Sequence, residues 1–309
     1  MSPEFEPWPE LDVASWQDTR DTVHMWTQIV GKVRMALSPH VNHWWNVTFY
    51  VDATGLTTSL MPYRTMGVEI RFDFVRHRLI VATTQGTSRE LELRARTVAS
   101  FHDELFEHLR ALGIEVTIMG SPVEVDPAIP FAEDTVHSSY DADAMHRYWM
   151  SLVSADRVFS AFRGDFRGKT SPSHFFWGAF DLAVTRFSGR RAAQHPGGVP
   201  NCPDWVMHEA YSDEVSSAGY WPGGASEGIF YSYAYPQPDG FDTATVEPEA
   251  AYFDTALGEF VLPYSVVRQS ENPDATLRTF LDSTARVAAE LAEWPSSDGD
   301  ATQGRIEST

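Results

Sequence analysis

The feature of this chain that most constrains its fold is a sequence pattern that occurs twice, in residues 21–112 and again in residues 142–291. Each copy opens with an amphipathic helix, whose apolar residues recur with the helical period of about 3.6 residues. Each helix ends at a Ser-Pro pair, Ser38-Pro39 or Ser171-Pro172, because proline lacks the backbone donor that a continuing helix needs. An internal repeat determines the architecture of the whole chain, so it is considered before any local motif.

Both copies continue with strands and a closing helix in the same order. A histidine followed by two aromatic residues starts the first strand of each copy, at His43 and at His174. We predict strands over residues 43–51, 59–63, 68–75 and 78–83 in the first copy and over 174–182, 217–222, 229–235 and 259–262 in the second. The sequence therefore predicts an α+β fold with an internal duplication. Each half is expected to be a helix, four antiparallel strands and a helix, with the helices packed on a sheet.

Composition sets the boundaries between the two copies. We place the first α+β repeat at residues 11–119 and the second at 142–294, joined by a linker at 120–141 that carries three prolines among acidic residues. Residues 114–119 alternate between apolar and polar side chains, which predicts a further strand. Residues 295–309 are rich in Ser, Asp and Gly, a composition typical of a disordered tail.

Charge and cysteine content limit the partners and the location that we expect. The formal net charge of −20 argues against nucleic acid and anionic membrane surfaces, because both attract proteins through positive patches. No segment contains the roughly 18 to 20 consecutive apolar residues that span a bilayer. Cys202 is the single cysteine, and the first residues lack the basic and apolar regions of a signal peptide. We therefore predict a cytoplasmic protein, of an oligomeric state that the sequence leaves open.

The second copy contains an insertion that the first lacks. Only six residues separate Val51 from Thr58 in the first copy, whereas the matching stretch in the second spans residues 188–215. A connection of that length inside a compact domain is usually functional or disordered. Because this one contains aromatic residues, we predict a lid over the sheet of the second half.

The two copies also differ on the sheet face that the lid would cover. Side chains alternate along a strand, so Ile70, Phe72 and Phe74 present plain hydrocarbon in the first copy. The corresponding face of the second copy presents three phenols, Tyr231, Tyr233 and Tyr235, with a hollow at Gly178. A buried tyrosine hydroxyl generally needs a hydrogen-bonding partner. These differences predict a pocket for a small organic molecule in the second half.

Candidate catalytic residues follow from the residue types at this face. His174 is the candidate general acid or base, because imidazole titrates near neutral pH. Glu214 is its candidate partner, and Tyr231 and Tyr233 are candidate hydrogen-bond donors to a developing oxyanion. Strict alternation would turn Asp181 to the opposite face, so we rank it below Glu214. The alternative is that His174 caps a strand or satisfies core polarity and that Glu214 is a solvated loop residue.

A second set of residues is predicted to bind the ligand rather than to react with it. Tryptophan can stack on a planar ligand, tyrosine and histidine can orient it, and an arginine can pair with an anionic group. The set comprises Trp177, Gly178, Arg190, His195, Tyr211, Trp221 and Tyr235. The alternative for the aromatic members is an ordinary core position, and for Arg190 a solvated surface.

Metal binding is weakly indicated, and the sequence leaves any cofactor unknown. The histidines that could contribute ligands are His40, His43, His174, His195 and His208, but none shows the helical His-Glu-x-x-His spacing of a metalloprotease. Zinc takes three or four such ligands, so a site would have to assemble across both halves. The metal question stays open at this stage.

Three strings in the second copy carry a resemblance to a known family. These are SPSHFFWGAFDL at 171–182, YSDEVSSAGYWPG at 211–223 and LGEFVLPY at 257–264. They resemble a bacterial family of proteins of unknown function, over roughly residues 11–294. The resemblance implies family membership and no activity, cofactor or catalytic residue. Whether the protein is an acid-base enzyme, a non-catalytic binding module or an oligomeric interaction protein remains open.

Overall fold

The computed structural model describes residues 6–223 and 227–295. Within these ranges the helices are α1 (Val13–Leu37), α2 (Val98–Ala111), α3 (Ala142–Gly164), α4 (Asp204–Ala210), α5 (Tyr264–Gln269) and α6 (Pro273–Leu291). The first-half strands are β1 (Tyr50–Val51), β2 (Gly55–Thr57), β3 (Met61–Tyr63), β4 (Met66–Asp73), β5 (Arg78–Thr83) and β6 (Ser88–Glu92). The second-half strands are β7 (His174–Phe176), β8 (Asp181–Arg191), β9 (Asp213–Trp221), β10 (Ile229–Tyr235), β11 (Tyr252–Asp254) and β12 (Glu259–Pro263). The predicted α+β class is confirmed, while residues 296–309 of the predicted tail lie outside the described ranges.

The four long helices begin where a side chain caps the first turn. Asp12 accepts a hydrogen bond from the backbone N–H of Ser15 at 3.1 Å, and Thr97, Asp141 and Asn272 do the same for α2, α3 and α6. Such caps satisfy one of the four N–H groups that a helix start leaves without a partner. The amphipathic segments of the sequence therefore start as helices at defined residues.

In the described ranges the strands form two antiparallel sheets of six strands each, so the predicted number of four strands in each half is too small. The first has the order β1-β2-β4-β5-β6, with β3 paired to β4, and the second has the order β11-β12-β10-β9-β8-β7. The two sheets meet where Phe49 and Phe175 exchange backbone hydrogen bonds of 2.9 and 2.7 Å. Strands β1 and β7 are thus neighbours at the centre of the molecule, and the two halves share one hydrophobic core.

The two faces of the second sheet have different neighbours. Helix α3 packs on β8, and α6 packs on β9 and β10. Leu182, Tyr220 and Phe230 face these helices and are at most 2% exposed. The opposite face is covered mainly by α4 and the rest of the connection 192–212, with the linker and the end of α1 beside them. That face holds the cavity described below.

Three predicted strands differ from the structure. Residues 43–49 are wrong as a strand, because His43 and Trp44 have positive φ angles of 56° and 60° within a 3₁₀ turn at Asn42–Trp44. The strand predicted at residues 114–119 is absent: Ile114 is buried in the core, but the segment pairs with no strand in the described ranges. The predicted strand 174–182 is divided in two by a turn at 177–180, where Phe180 has a φ of 64°.

The inserted connection is shorter than the predicted lid of 188–215. Residues 188–191 extend β8 and residues 213–215 start β9. The remaining segment, 192–212, contains α4 and is called the lid below. No helix in residues 6–223 or 227–295 has the length and apolar character needed to cross a membrane.

Candidate functional site

A cavity of about 510 Å³ lies between the second sheet and the lid. Its floor is formed by strands β7, β8, β9, β10 and β12. The rest of the lining comes from the lid, from the linker residues Val123 and Glu124 with Met119 before them, from Lys32 and Met35 near the end of α1, and from residues 43–47. Most of the lining is aromatic or aliphatic. The cavity therefore joins parts of both halves of the chain.

Seven of the eleven residues that the sequence singled out border this one cavity. They are His174, Trp177, Gly178, Tyr211, Trp221, Tyr231 and Tyr233. The hydroxyls of Tyr211 in the lid and Tyr233 in the floor lie 2.9 Å apart, so a hydrogen bond links lid and floor. Residues singled out in the second half of the sequence are thus brought together at one cavity.

The other four residues lie outside the lining. Glu214 is on the helix side of β9, where it pairs with Arg190 at 2.7 Å. Arg190 in turn donates to the carbonyl of Glu293 at 3.1 Å, beyond the end of α6. Glu214 is therefore not placed to orient His174, and Arg190 is not placed to bind a ligand in the cavity. Both have a structural role at the outer surface.

His195 and Tyr235 support the lid from outside the cavity. The His195 ring stacks on Tyr211 with centroids 4.8 Å apart. Tyr235 donates a hydrogen bond to the carbonyl of Ala193 at 3.0 Å. These contacts hold Tyr211 over the floor, so the two residues position a lining residue without lining the cavity themselves.

Asp181, which strict alternation assigned to the far face, lies in the cavity. Because the turn at 177–180 separates β7 from β8, Asp181 pairs with Phe176, and paired residues share a face. Its carboxylate accepts a short hydrogen bond from the hydroxyl of Tyr231. The Tyr231 ring reaches Asp181 by crossing Gly219 of β9, whose missing side chain leaves the necessary space. The ranking of Asp181 below Glu214 is therefore reversed.

Burial raises the pKa of Asp181 to about 6, although the Tyr231 hydrogen bond acts in the opposite direction. Two more carboxyl groups share the cavity, Glu124 and Glu259. Burial and the charge of Asp181 raise the pKa of each to about 7. None of the three forms an ion pair with another described residue. Carboxyl groups with such pKa values can both donate and accept protons near neutral pH.

Glu124 reaches the cavity because Gln28 of α1 holds the linker. The Gln28 side chain accepts from the N–H of Val123 and donates to its carbonyl, both at 2.8 Å. The Glu124 carboxylate then packs against Gly178, where any side chain would collide with it. The hollow predicted at Gly178 therefore holds this carboxylate. Glu124 keeps an exposed surface because it borders the cavity.

His174 is neutral and presents an acceptor atom. Burial, followed by the charges of Arg163 and Arg34, lowers its pKa to about 3. Its Nδ1 lies 3.1 Å from the hydroxyl of Thr48, which itself donates to the carbonyl of Trp45. This network assigns the proton to Nδ1. Nε2 is buried and has no hydrogen-bond partner among the described residues.

Lys32 is a lining residue that sequence reasoning missed. Lysine occurs in this chain only at positions 32 and 169. Lys32 is 1% exposed, and its Nζ lies 5.6 Å from the centroid of the Trp177 ring. Burial lowers its pKa to about 8. The available signal was a lone lysine within an apolar segment of α1. Because α1 is long and of mixed polarity, this lysine does not stand out in the sequence.

Residues of the first half hold the lid in place. Trp44 donates from Nε1 to the carbonyl of Val206 in α4 at 3.0 Å. His43 lies 3.2 Å from the carbonyl of Ala210 through Nδ1 and 2.7 Å from Lys169 Nζ through Nε2. Burial and the charge of Lys169 lower the pKa of His43, which keeps the ring neutral as this bridge requires.

The histidines considered as metal ligands do not gather. Within residues 6–223 and 227–295, no three His, Cys, Asp or Glu side chains are arranged to hold a metal ion. His174 is in the floor, His43 is beside the lid, and His195 stacks on a tyrosine. His208 contacts Gln194 at 3.0 Å, and His40 lies 3.6 Å from Glu209.

Fold and cavity together describe an α+β protein with an aromatic cavity between one sheet and its lid. The chain belongs to a family of unknown function, DUF5996, whose model matches residues 8–300. The resemblance based on the strings at 171–182, 211–223 and 257–264 is thereby confirmed. No curated protein and no solved structure matches the chain.

Proposed function

We propose that this protein binds a small organic molecule in the cavity and exchanges a proton with it. The observation that carries the proposal is a mainly apolar cavity lined by ionisable groups that have no ion-pair partner. Lys32, Glu124 and Glu259 line it, and none of them forms an ion pair within the part of the chain that the structure describes. Buried polar groups are normally satisfied, so a ligand is the natural partner.

The volume of the cavity and the apolar residues at its rim support a small, partly apolar ligand. A volume of about 510 Å³ lies within the range of roughly 300 to 1,000 Å³ that is typical of small-molecule sites. Met119, Trp205 and Leu257 border the cavity although 60%, 58% and 47% of each is exposed. Such apolar side chains at the surface are suited to the route by which an apolar molecule enters.

Asp181 is our candidate for proton transfer, in place of His174. A general acid or base works best when its pKa lies near the working pH, and the pKa values given above favour Asp181 over His174. The Tyr231 hydroxyl orients the Asp181 carboxylate, and Glu259 is the nearest alternative acid on the floor. A non-catalytic binding module is the alternative, in which the same groups only orient the ligand.

Binding is tested by closing the cavity. Ala179 is an exposed lining residue in the turn between β7 and β8, so Ala179→Trp should block the cavity without disturbing the core. Ala53 is exposed in the corresponding turn between β1 and β2, and Ala53→Trp is the matched control. Small molecules released by denaturing the purified proteins are identified by mass spectrometry. We expect a compound in wild type and Ala53→Trp that is absent from Ala179→Trp; equal retention by all three would contradict the proposal.

Catalysis is tested with the compound so identified. Asp181→Asn keeps an acceptor for Tyr231 but cannot take up a proton at neutral pH. We expect turnover to fall by at least about 100-fold, the usual contribution of a general acid or base, while affinity changes little. Unchanged turnover would remove Asp181 from the mechanism, and absence of turnover in the wild type would favour the binding module.

We also propose that the two halves arose by duplication, with repeats at 11–119 and 142–294 and a linker at 120–141. Support comes from strand order: each sheet is an antiparallel series that begins at the central strand, β1 or β7, and is flanked by an earlier and a later long helix. This order pairs β4 with β9 and β5 with β10. It does not support the pairing of Phe72 with Tyr233 that the sequence comparison used.

The location and the partners of the protein remain proposals that rest on the sequence. The net charge of −20 favours a protein that binds neither nucleic acid nor anionic membranes. A cytoplasmic location follows from the single cysteine. The oligomeric state is left open.

A further inference from the structure

We propose that Lys32 is an amine nucleophile that forms an imine with a carbonyl group of the molecule bound in the cavity. The inference rests on the proposed function, since it requires a ligand in that cavity. It adds the chemical class of the ligand, an aldehyde or ketone, and assigns a covalent role to a residue outside the Asp181 and Tyr231 pair.

The surroundings of Lys32 favour the neutral amine. The side chain is 1% exposed and borders the cavity. Its described neighbour is the indole of Trp177, for which Gly31 of the same helix makes room. No carboxylate of the described chain lies within ion-pair distance of Lys32. An apolar enclosure without a counter-ion destabilises the ammonium form, and lysines that form imines with carbonyl compounds are activated in this way.

Other ionisable groups in the cavity argue against the simplest alternative, an anionic ligand anchored by Lys32. The cavity also contains Glu124, Asp181 and Glu259. When ionised, these carboxylates repel a ligand anion, whereas a neutral aldehyde or ketone brings no charge. A carbonyl ligand therefore fits both the lysine and the three acids.

The reaction balances without an external oxidant or reductant. The lone pair of Lys32 Nζ attacks the carbonyl carbon, the C=O π electrons move to oxygen, and a proton passes from nitrogen to oxygen to give a carbinolamine. Protonation of that hydroxyl lets water leave while the nitrogen lone pair forms the C=N bond, and the resulting iminium ion loses its remaining N–H proton to give the imine. The sum is amine plus carbonyl compound to imine plus water.

Glu124 is our candidate proton donor for the loss of water. It lines the same cavity, and its carboxylate packs against Gly178, the residue next to the Trp177 that lies by Lys32. Burial raises the pKa of Glu124 above its ordinary value, which favours a carboxyl group that can give up a proton near neutral pH. The same carboxylate can recover a proton when the imine is hydrolysed.

The test uses benzaldehyde as a neutral aromatic probe and sodium cyanoborohydride to reduce any imine to a stable benzylamine. The intact full-length protein is treated briefly, digested, and mapped by mass spectrometry. Lys169 is the internal reference, because it is half-exposed and pairs with Asp213 at 2.9 Å. We expect Lys32 to be benzylated at least about tenfold faster than Lys169, with a rate that rises from pH 7 to pH 9 as the amine loses its proton.

Variants separate the possible outcomes. Lys32→Arg should abolish the adduct in the cavity while the labelling of Lys169 continues. Equal labelling of both lysines, or an unlabelled Lys32, overturns the inference, and this comparison within the wild type does not depend on any variant folding. Benzoate that binds more tightly than benzaldehyde and loses affinity in Lys32→Met would also overturn it, by identifying an anion anchor. Failure of the proposed function is recognised separately, by equal ligand retention in wild type and Ala179→Trp.

Discussion

The hydroxyl of Tyr231 donates a hydrogen bond to the carboxylate of Asp181 across the floor of the cavity. The two residues come from strands β10 and β8, and β9 lies between them. The contact is possible because β9 has Gly219 at the crossing point, where an added Cβ would lie 2.6 Å from the carbonyl oxygen of Leu182 and in contact with the Tyr231 ring. A tyrosine, a glycine and an aspartate on three neighbouring strands thus form one unit.

The buried Asp181 should make stability depend on pH. Burial raises its pKa from 3.8 to about 6, so between these values the native state binds more protons than the unfolded state. The free energy of unfolding then falls as the pH rises through this window. Asp181→Asn removes the effect, and we expect its stability relative to wild type to increase by about 2 kcal/mol between pH 4 and pH 7. Urea denaturation at both pH values measures the change.

Asp213 provides a control, because its effect on stability should depend on pH in the opposite direction. Burial raises its pKa, but the hydrogen bond and charge of Lys169 outweigh burial and the net pKa is lowered. Its stabilising effect is present above the unfolded pKa and is lost as the pH falls. Asp213→Asn should therefore be less stable than wild type at pH 7 and approach it at lower pH. Parallel pH profiles for the two variants would contradict the assignment.

Gly219→Ala should disturb the floor of the cavity. The added methyl group would meet both the Tyr231 side chain and the Leu182 backbone, and overpacking of this kind costs about 1 to 3 kcal/mol. We expect a lower free energy of unfolding in urea. Gly164→Ala, at the end of α3, is the control, since nothing lies within 4 Å of its added methyl group; a similar loss in both variants would count against a specific clash.

Gln28→Leu should release the linker from α1. The substitution removes the partner of both backbone groups of Val123, and groups left without partners cost about 1 to 3 kcal/mol each when buried. Because Val123 is half-buried, we expect a loss of about 2 kcal/mol in urea denaturation and faster hydrogen exchange at its amide. The exposed Gln85→Leu should change neither. Unaltered exchange at Val123 in the Gln28 variant would show that other contacts hold the linker.

Trp44→Phe should loosen the lid without removing an aromatic ring. It deletes the N–H that donates to Val206, a contact worth about 1 kcal/mol. Hydrogen exchange of the α4 amides should accelerate by about fivefold as a result. Trp205→Phe is the neighbouring control: Trp205 packs 5.3 Å from Trp44 and is 58% exposed, so exchange should stay close to that of wild type. Equal acceleration in both variants would assign the effect to ring packing.

Helices and the fold class were predictable because their signals are local. The apolar period and the capping residues Asp141 and Asn272 lie within each helix. Strand boundaries were less predictable at the two aromatic segments. His43 and Trp44 take left-handed backbone angles, and the aromatic run at 174–182 conceals a turn. Apolar composition suits a buried turn as well as a buried strand, so it did not separate the two.

For the site, sequence reasoning singled out several residues that border the cavity but missed some of its ionisable groups. Tyrosines on one face of a strand indicated the floor of the cavity, because side chains alternate between the two faces within a strand. Asp181 was misassigned because alternation does not continue through a turn. Glu124 and Lys32 were missed because they come from the linker and from α1, and neither has a local pattern that indicates the second sheet.

By itself, then, the sequence determined the α+β class, the long helices, the tyrosine face and the presence of an insertion above it. Each of these depends on residues that are close along the chain. Only the tertiary structure decided which ionisable groups meet, because their positions depend on contacts between distant segments. The Phe49–Phe175 junction, the hold of Gln28 on the linker and the space above Gly219 bring Lys32, Glu124, Asp181 and Tyr231 to one cavity. Burial in that cavity, rather than residue type, sets their pKa values.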